Sequence, residues 1–302
     1  GQYAKFENNV FSALNTAFLR DAALILVPKN VSVTNPIHLL FIATQQEVTS
    51  YPRCLLIGET GSNVTIIEDY VALQDATYIT NSVTEISLAA NAHARHIRVQ
   101  RENTQAFHFA NCAVSLAHAS HYQSASISLG SHISRYNLDV RLLDEAAECV
   151  IDGLTLISDR QLADTHTCID HVKPNGTSHQ QHKCIVDDSA HAVFNGKIIV
   201  RPHAQRTNSS QSSRNLLLSS AAQIDTKPQL EIFADDVKCA HGATVGQLEQ
   251  EEIFYLESRG LSELAARNLL TYAFGAEIIS RIPVTSLRQQ LEQAVLNQTQ
   301  GK

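Results

Sequence analysis

Hydrophobic and polar residues alternate with a period of two along most of the chain, from about Pro36 to Tyr255. The pattern is plain in Val64-Thr65-Ile66, Thr84-Glu85-Ile86-Ser87-Leu88, Ile97-Arg98-Val99, Ser126-Ile127-Ser128-Leu129 and Leu138-Asp139-Val140-Arg141-Leu142. It continues in Ala192-Val193-Phe194, Lys197-Ile198-Ile199-Val200 and Leu230-Glu231-Ile232-Phe233. Successive side chains of a strand point to opposite faces, so these segments predict strands with one buried face. More than half of the chain is expected to be β. Between the strands a polar residue followed by small alanines recurs, as in Asn91-Ala92-His93-Ala94, Asp144-Glu145-Ala146-Ala147, Asp188-Ser189-Ala190-His191-Ala192 and Ser220-Ala221-Ala222. Small residues at corners spaced roughly 25 to 45 residues apart suit one or two turns of a β-solenoid, in which each coil stacks only on its neighbours. A hairpin sandwich would call for more turn glycines than the 12 present.

Both ends break the alternation. Near the C-terminus Leu261, Ala265, Leu269, Tyr272, Ala276 and Ile279 recur at steps of three and four behind a candidate cap at Ser262, and Pro283 closes the segment; the spacing predicts a helix. A second helix is predicted from Ser286-Leu287-Arg288-Gln289, a capping-box pattern, with Leu287, Leu291, Ala294 and Val295 on one face. The simplest role for these helices is to cover the open end of the solenoid, where core and unpaired strand groups would otherwise meet water. At the other end, Val10 to Phe18 reads as a short helix before Leu24-Ile25-Leu26-Val27. The expected organisation is a lead-in over residues 1–35, a β-helix core over 36–258 and a C-terminal helical domain over 259–302.

Composition narrows the chemistry. The 302 residues are 44% hydrophobic, enough for a sizeable core, and the net charge of -7 gives no footprint for nucleic acid or an anionic membrane. No apolar run approaches the roughly 20 residues of a spanning helix, and Gly1-Gln2-Tyr3-Ala4-Lys5 has no signal-peptide pattern, so a soluble intracellular protein is expected. Methionine is absent, which points to a processed or truncated chain or to residues left out of the sequence as written. Six cysteines, Cys54, Cys112, Cys149, Cys168, Cys184 and Cys239, are too sparse for a disulfide framework. The 14 histidines include the pairs His93/His96, His118/His121 and His179/His182, but on a strand a three-residue step puts the two rings on opposite faces. The phosphate loop, the His-Glu-x-x-His pattern and the Gly-x-Ser-x-Gly elbow are missing, so the chain is not expected to be an enzyme of those kinds. Asp164 with His166 and Asp170 with His171 could pair acid with base, though polar ladders between neighbouring coils are the plainer reading. The run from Gln205 to Arg214 reads as a polar turn and coil surface, with a partner contact as the alternative.

The stretch Ala234-Asp235-Asp236-Val237-Lys238-Cys239-Ala240-His241-Gly242-Ala243-Thr244-Val245-Gly246, followed by Phe254-Tyr255-Leu256-Glu257-Ser258-Arg259-Gly260, closely resembles the SufB/SufD family of iron–sulfur cluster assembly proteins. Phe194-Asn195-Gly196-Lys197, Asn215-Leu216-Leu217-Leu218, Asp225 to Glu231 and Tyr272-Ala273-Phe274 support it, and Gly242 after His241 resembles the SufD branch. The likeness runs from about Ala17 to Ile282. It implies a right-handed parallel β-helix with a C-terminal helical cap, acting as a scaffold that pairs with a SufB-like β-helix subunit and docks a SufC-like ABC ATPase on its helices. It also implies a transient iron–sulfur cluster at the subunit interface, with His241 and its neighbour Cys239 as candidate ligands, and no stable cofactor on the isolated chain. Family members carry a helical region upstream, so this chain is expected to begin partway through the protein. A homodimer is the alternative assembly in isolation, and the expected compartment is the cytoplasm or the plastid stroma. Thiolate and imidazole both ligate iron, but four ligands normally hold a cluster, so the pair is incomplete alone. For Cys239 the plain alternative is a small buried hydrophobe. Two rival functions stand beside this one: a carbohydrate-active β-helix enzyme acting on polyuronates, and a zinc- or iron-storing protein that uses the histidines.

Overall fold

The computed structural model describes residues 3–7 and 9–300, the side chains of 298–300 excepted. Two parallel sheets run side by side. The first holds β1 (Ala23–Val27), β4 (Arg53–Gly58), β6 (Ile79–Leu88), β8 (Phe107–Leu116), β10 (Ile133–Leu142), β12 (Leu162–His171), β14 (His191–Val200) and β16 (Gln223–Ile232) in spatial order, with β3 (Thr49–Ser50) beside β6. The second runs from β2 (Ile37–Ala43) through β5 (Asn63–Ala72), β7 (His93–Gln100), β9 (His121–Ser128), β11 (Glu148–Ile157), β13 (Thr177–Val186) and β15 (Asn208–Leu217) to β17 (Lys238–Gly246). The chain crosses between sheets at every corner, which makes a β-solenoid of about eight turns, as the alternation predicted. Asn63, His93, His121, Glu148, Thr177, Asn208 and Lys238 stack one above another in register.

The polar-then-small motif explains the corners. Asn91, Ala119, Ala146, Asn175 and Arg206 adopt positive φ, and each is followed by a buried residue: Ala92, Ser120, Ala147, Gly176 and Thr207. The left-handed turn is mildly strained for an L-residue. In return it aims each N–H at the next coil: Asn91 at His118 O, Ala119 at Glu145 O, Ala146 at Pro174 O, Asn175 at Gln205 O and Arg206 at Asp236 O. Each corner is thus tied to its successor by a backbone hydrogen bond, and a small following residue leaves room for the stack.

Inward-facing positions carry an apolar column, including Ile66, Ile86, Val114, Leu138, Ile169 and Ile198, beside a polar one described below. The run from Gln205 to Arg214 is not a surface turn. From Asn208 it is β15, and Ser209, Gln211, Ser213 and Asn215 are buried inside the solenoid. Period two was hidden there because both faces of the strand are polar.

The N-terminal helix is α1 (Val10–Ala17), whose Asn9 side chain accepts from the Ser12 N–H at 2.9 Å. It lies on the outside of the first sheet, where buried Asn15 donates to the carbonyls of Pro52 and Asn81. At the C-terminus come α2 (Gln250–Glu257), α3 (Glu263–Ile279) and α4 (Thr285–Gln300). Ser262 caps α3 as expected, accepting from the Ala265 N–H; α4 begins at Thr285, so Ser286 lies within its first turn.

These helices do not lie over the open end. Ile278, Ile279, Ile282, Leu287, Leu291 and Val295 pack on the outward residues Ile97, Val99, Ile127, Leu154, Leu156, Ile185 and Leu216, along the flank of the second sheet. The outward face of that sheet is apolar over much of its length and needs a cover; each side chain buried there is worth ~1.5–3 kcal/mol. Polar anchors fix the register. Buried Lys183 pairs with Glu277 and donates to Phe274 O at 2.9 Å, while Arg281 binds Asp152 at 2.6 Å.

Candidate functional site

The solenoid ends on β17, which pairs with β15 and, among the described residues, has no strand beyond it. In register, Ser209 lies beside Cys239 and Gln211 beside His241. Ser209 and Gln211 face the interior, so the same parity turns Cys239 and His241 inward at the rim of an uncovered coil. Cys239 is half-buried against the apolar column with Val237; burial pushes its thiol up, while the Ser209 backbone pulls the other way. His241 is exposed. Thiol and imidazole therefore share one face, one half-sheltered and one open.

Among the described residues no group of three or more His, Cys, Asp or Glu side chains is arranged to hold a metal. The two rim residues have no third ligand of their own. The surrounding edge is exposed and partly apolar, with Ile232, Phe233 and Val245 uncovered. A Cβ added at Gly242 or Gly246 would meet nothing within 4 Å. The chain's own packing gives no reason for glycine at either position.

The other candidates resolve into structural roles. His93 faces out and stacks on His121, whereas His96 is buried; His179 is exposed and His182 buried. Asp164 is held by His166 on its own strand at 2.9 Å and by Arg135 from the adjacent coil, and Asp170 by Arg201, while His171 faces inward; the arginine pairs are ladders between coils. Burial pushes the thiols of Cys54, Cys149 and Cys184 up to about 12 and that of Cys168 to about 11. They are poor nucleophiles and behave as small hydrophobes.

Sequence reasoning missed the polar column inside. In the N-terminal half, Arg98 donates to His108 Nε2 at 2.6 Å, and His108 Nδ1 lies 2.7 Å from Glu102. Because guanidinium can only donate, Nε2 accepts and the imidazole proton sits on Nδ1, toward Glu102. Burial would raise the nearby Glu68 carboxyl, but His96, Thr84 and Arg98 bring it down to about 2. Glu102 and Tyr70 also line a cavity of about 800 Å³ at this end. In the C-terminal half the column is neutral: Thr167, Gln180 and Gln211 bond in sequence, and Asn215 donates to Ser213. The available signal was polar residues at the inward parity of strands already recognised.

The family model described as the SUF system FeS cluster assembly SufBD core domain matches residues 41–274, and the SufBD protein N-terminal region matches residues 1–39. An iron–sulfur cluster assembly SufBD family protein of Synechocystis is 45% identical over 95% of this chain and 66% of its own length. The iron–sulfur cluster assembly protein SufD of Escherichia coli is 38% identical over 93% of this chain and 68% of its own. The chloroplastic protein ABCI7 of Arabidopsis thaliana is 33% identical over 93% and 61%. The chain thus spans about two thirds of the length of these relatives. No helix among the described residues is long and apolar enough to cross a membrane. A parallel solenoid with flanking helices, a rim bearing Cys239 and His241, and matches over nearly its full length together show that the chain belongs to the SufBD family of iron–sulfur cluster assembly proteins.

Proposed function

We propose that the chain is a non-catalytic scaffold subunit on which an iron–sulfur cluster is built as transient cargo. The observation that carries this is the inward-facing Cys239 and His241 at an uncovered last coil, two ligand types for iron with no third within the chain. The remaining ligands would come from a second, SufB-like β-solenoid joined at the edges of β16 and β17. Open strand edges invite such pairing, and Gly242 and Gly246 allow close backbone approach. Without that partner the same edge would serve a homodimer. Energy would come from a SufC-like ABC ATPase, in keeping with the missing phosphate loop. Its docking surface would be the uncovered apolar side chains of α2 and α3, Phe254, Tyr255, Leu264 and Leu269. The relatives' bacterial and chloroplastic origins fit a cytoplasmic or stromal setting.

The test is His241→Ala in the assembled complex supplied with ferrous iron and a sulfide source. Cluster formation, followed by its visible absorbance, should fall sharply while subunit association is unchanged; normal formation would overturn the ligand role. Cys239→Ser decides whether the thiol is a second ligand. Leu264→Glu with Leu269→Glu should release the ATPase without unfolding the chain, whereas deleting the helices would bare the sheet face they cover.

A further inference from the structure

We infer that Gln211 is a positioning residue for His241: its side-chain carbonyl accepts the imidazole N–H, which leaves the other ring nitrogen free for iron. The inference deepens, and rests on, the reading of His241 as a ligand. Gln211 is buried, and its Nε2 donates to Gln180 Oε1 at 2.8 Å, one coil back. Gln180 in turn donates to Thr167 Oγ1 at 2.8 Å. The carboxamide nitrogen is thus spent toward the closed part of the solenoid, and a planar amide turns its oxygen the other way. That oxygen, Gln211 Oε1, is buried and has no hydrogen-bond partner. A buried carbonyl left unpaired is costly and rare in folded proteins, so a donor is expected nearby.

His241 is the register neighbour of Gln211 in β17, on the same inward face, and adjacent strands lie about 4.8 Å apart. Its ring N–H is the donor type the oxygen lacks. The position is built from the opposite sheet as well. A Cβ at Gly196 would fall 1.8 Å from Gln211 Nε2, so the carboxamide occupies the space a side chain there would take. The Phe194-Asn195-Gly196-Lys197 segment, which otherwise has no part in the site, thereby gains a role in holding Gln211. A hydrogen bond on one imidazole nitrogen fixes the tautomer and ring direction of the ligating one, and losing such a bond typically lowers metal affinity 10–100-fold.

The experiment uses the 15N-labelled chain near neutral pH, with the His241 ring signals assigned by their loss in His241→Gln. One His241 ring N–H should be visible and slow to exchange. It should vanish in Gln211→Met, which keeps the length but has no carbonyl, and persist in Gln211→Glu, which keeps an acceptor. In the complex supplied with ferrous iron and sulfide, Gln211→Met should slow cluster formation about 10–100-fold. A His241 ring without a protected N–H in the unaltered chain overturns the inference, even where a variant fails to fold. So does a signal that survives Gln211→Met, one that is lost in Gln211→Glu, or undiminished cluster formation in Gln211→Met. If instead His241→Ala forms clusters normally, the ligand reading itself fails, whatever the spectrum shows.

Discussion

The two halves of the solenoid bury polar groups in different ways. The N-terminal half encloses ions, with Arg98 lodged between the rings of Tyr70 and Tyr136 and bonded to His108, which faces Glu102. The C-terminal half encloses amides and hydroxyls, and its column ends beneath an open coil with one carbonyl unpaired. Ions in a low-dielectric interior are retained only when each is closely paired, which locks every member in place. Neutral groups tolerate an incomplete partner at smaller penalty, which suits the end proposed to receive cargo. On the proposed function, the charged network serves stability and the neutral column serves the ligand site.

The largest break in that contrast should come from Arg98→Met. It removes the guanidinium that bonds His108 and Ser126 and leaves the Glu68 carboxylate without that positive charge. Removing one member of a buried ionic set costs about 3–5 kcal/mol. Denaturant titration should show a loss of that size, whereas Gln211→Met, which breaks a neutral bond, should lose only about 1 kcal/mol.

Acid should act next. Burial pushes His182 down to about 3 and His171 down to about 4, so both are neutral in the folded chain well below the ordinary value of 6.5. Between those values and 6.5 the unfolded chain binds the extra protons. The contribution of these histidines is therefore complete above pH 6.5 and is lost as pH falls toward 4 and then 3. Glu68, held at about 2, adds a further loss below its ordinary 4.5. The thermal midpoint should decline steadily from pH 7 to pH 4, and His182→Gln should flatten that slope; an unchanged slope would remove His182 from the account.

A methyl group at either of two glycines should be felt less. At Gly153 the new Cβ would fall 2.1 Å from His182 Nδ1, and at Gly196 it would fall 1.8 Å from Gln211 Nε2. Overpacking of this sort costs about 1–3 kcal/mol. Gly153→Ala should leave cluster formation in the complex intact, and Gly196→Ala should impair it, because only the second displaces the carboxamide under His241.

The fold was legible because alternation survives wherever one face of a strand is apolar, and because the corner alanines mark the coils. It failed from Gln205 to Arg214, where serines and glutamine face inward and composition mimics a surface. Three of the helices were legible as helices, but α2 was not, since the alternation extends through it to Tyr255, and neither was the resting place of the C-terminal helices. The outward apolar residues Ile97, Ile127, Leu154 and Ile185 that call for a cover are scattered over separate coils and form a stripe only once stacked. Cys239 and His241 stood out through family resemblance; two residues in one strand carry no sign that the coil beyond them is open. Gln211 carried no signal, since its importance lies in a register across coils.

The smallest expected effect on stability belongs to His241→Ala. The side chain is exposed on the last strand and is not part of the apolar column, so its removal should cost no more than about 1 kcal/mol, the net worth of the bond inferred to Gln211 Oε1. Set beside Arg98→Met, this inverts the usual link between folding and activity: one variant should be unstable through a network remote from the rim, the other stable but unable to support clusters. Cys239→Ser lies between, since the half-buried thiol packs against the apolar column and loses some apolar contact on becoming a hydroxyl. Equilibrium unfolding of the three variants, with cluster formation measured in the complex, checks the ordering. A His241→Ala chain destabilised by several kcal/mol would place the imidazole inside the fold's own packing, and the division between a sealed half and an open half would have to be abandoned.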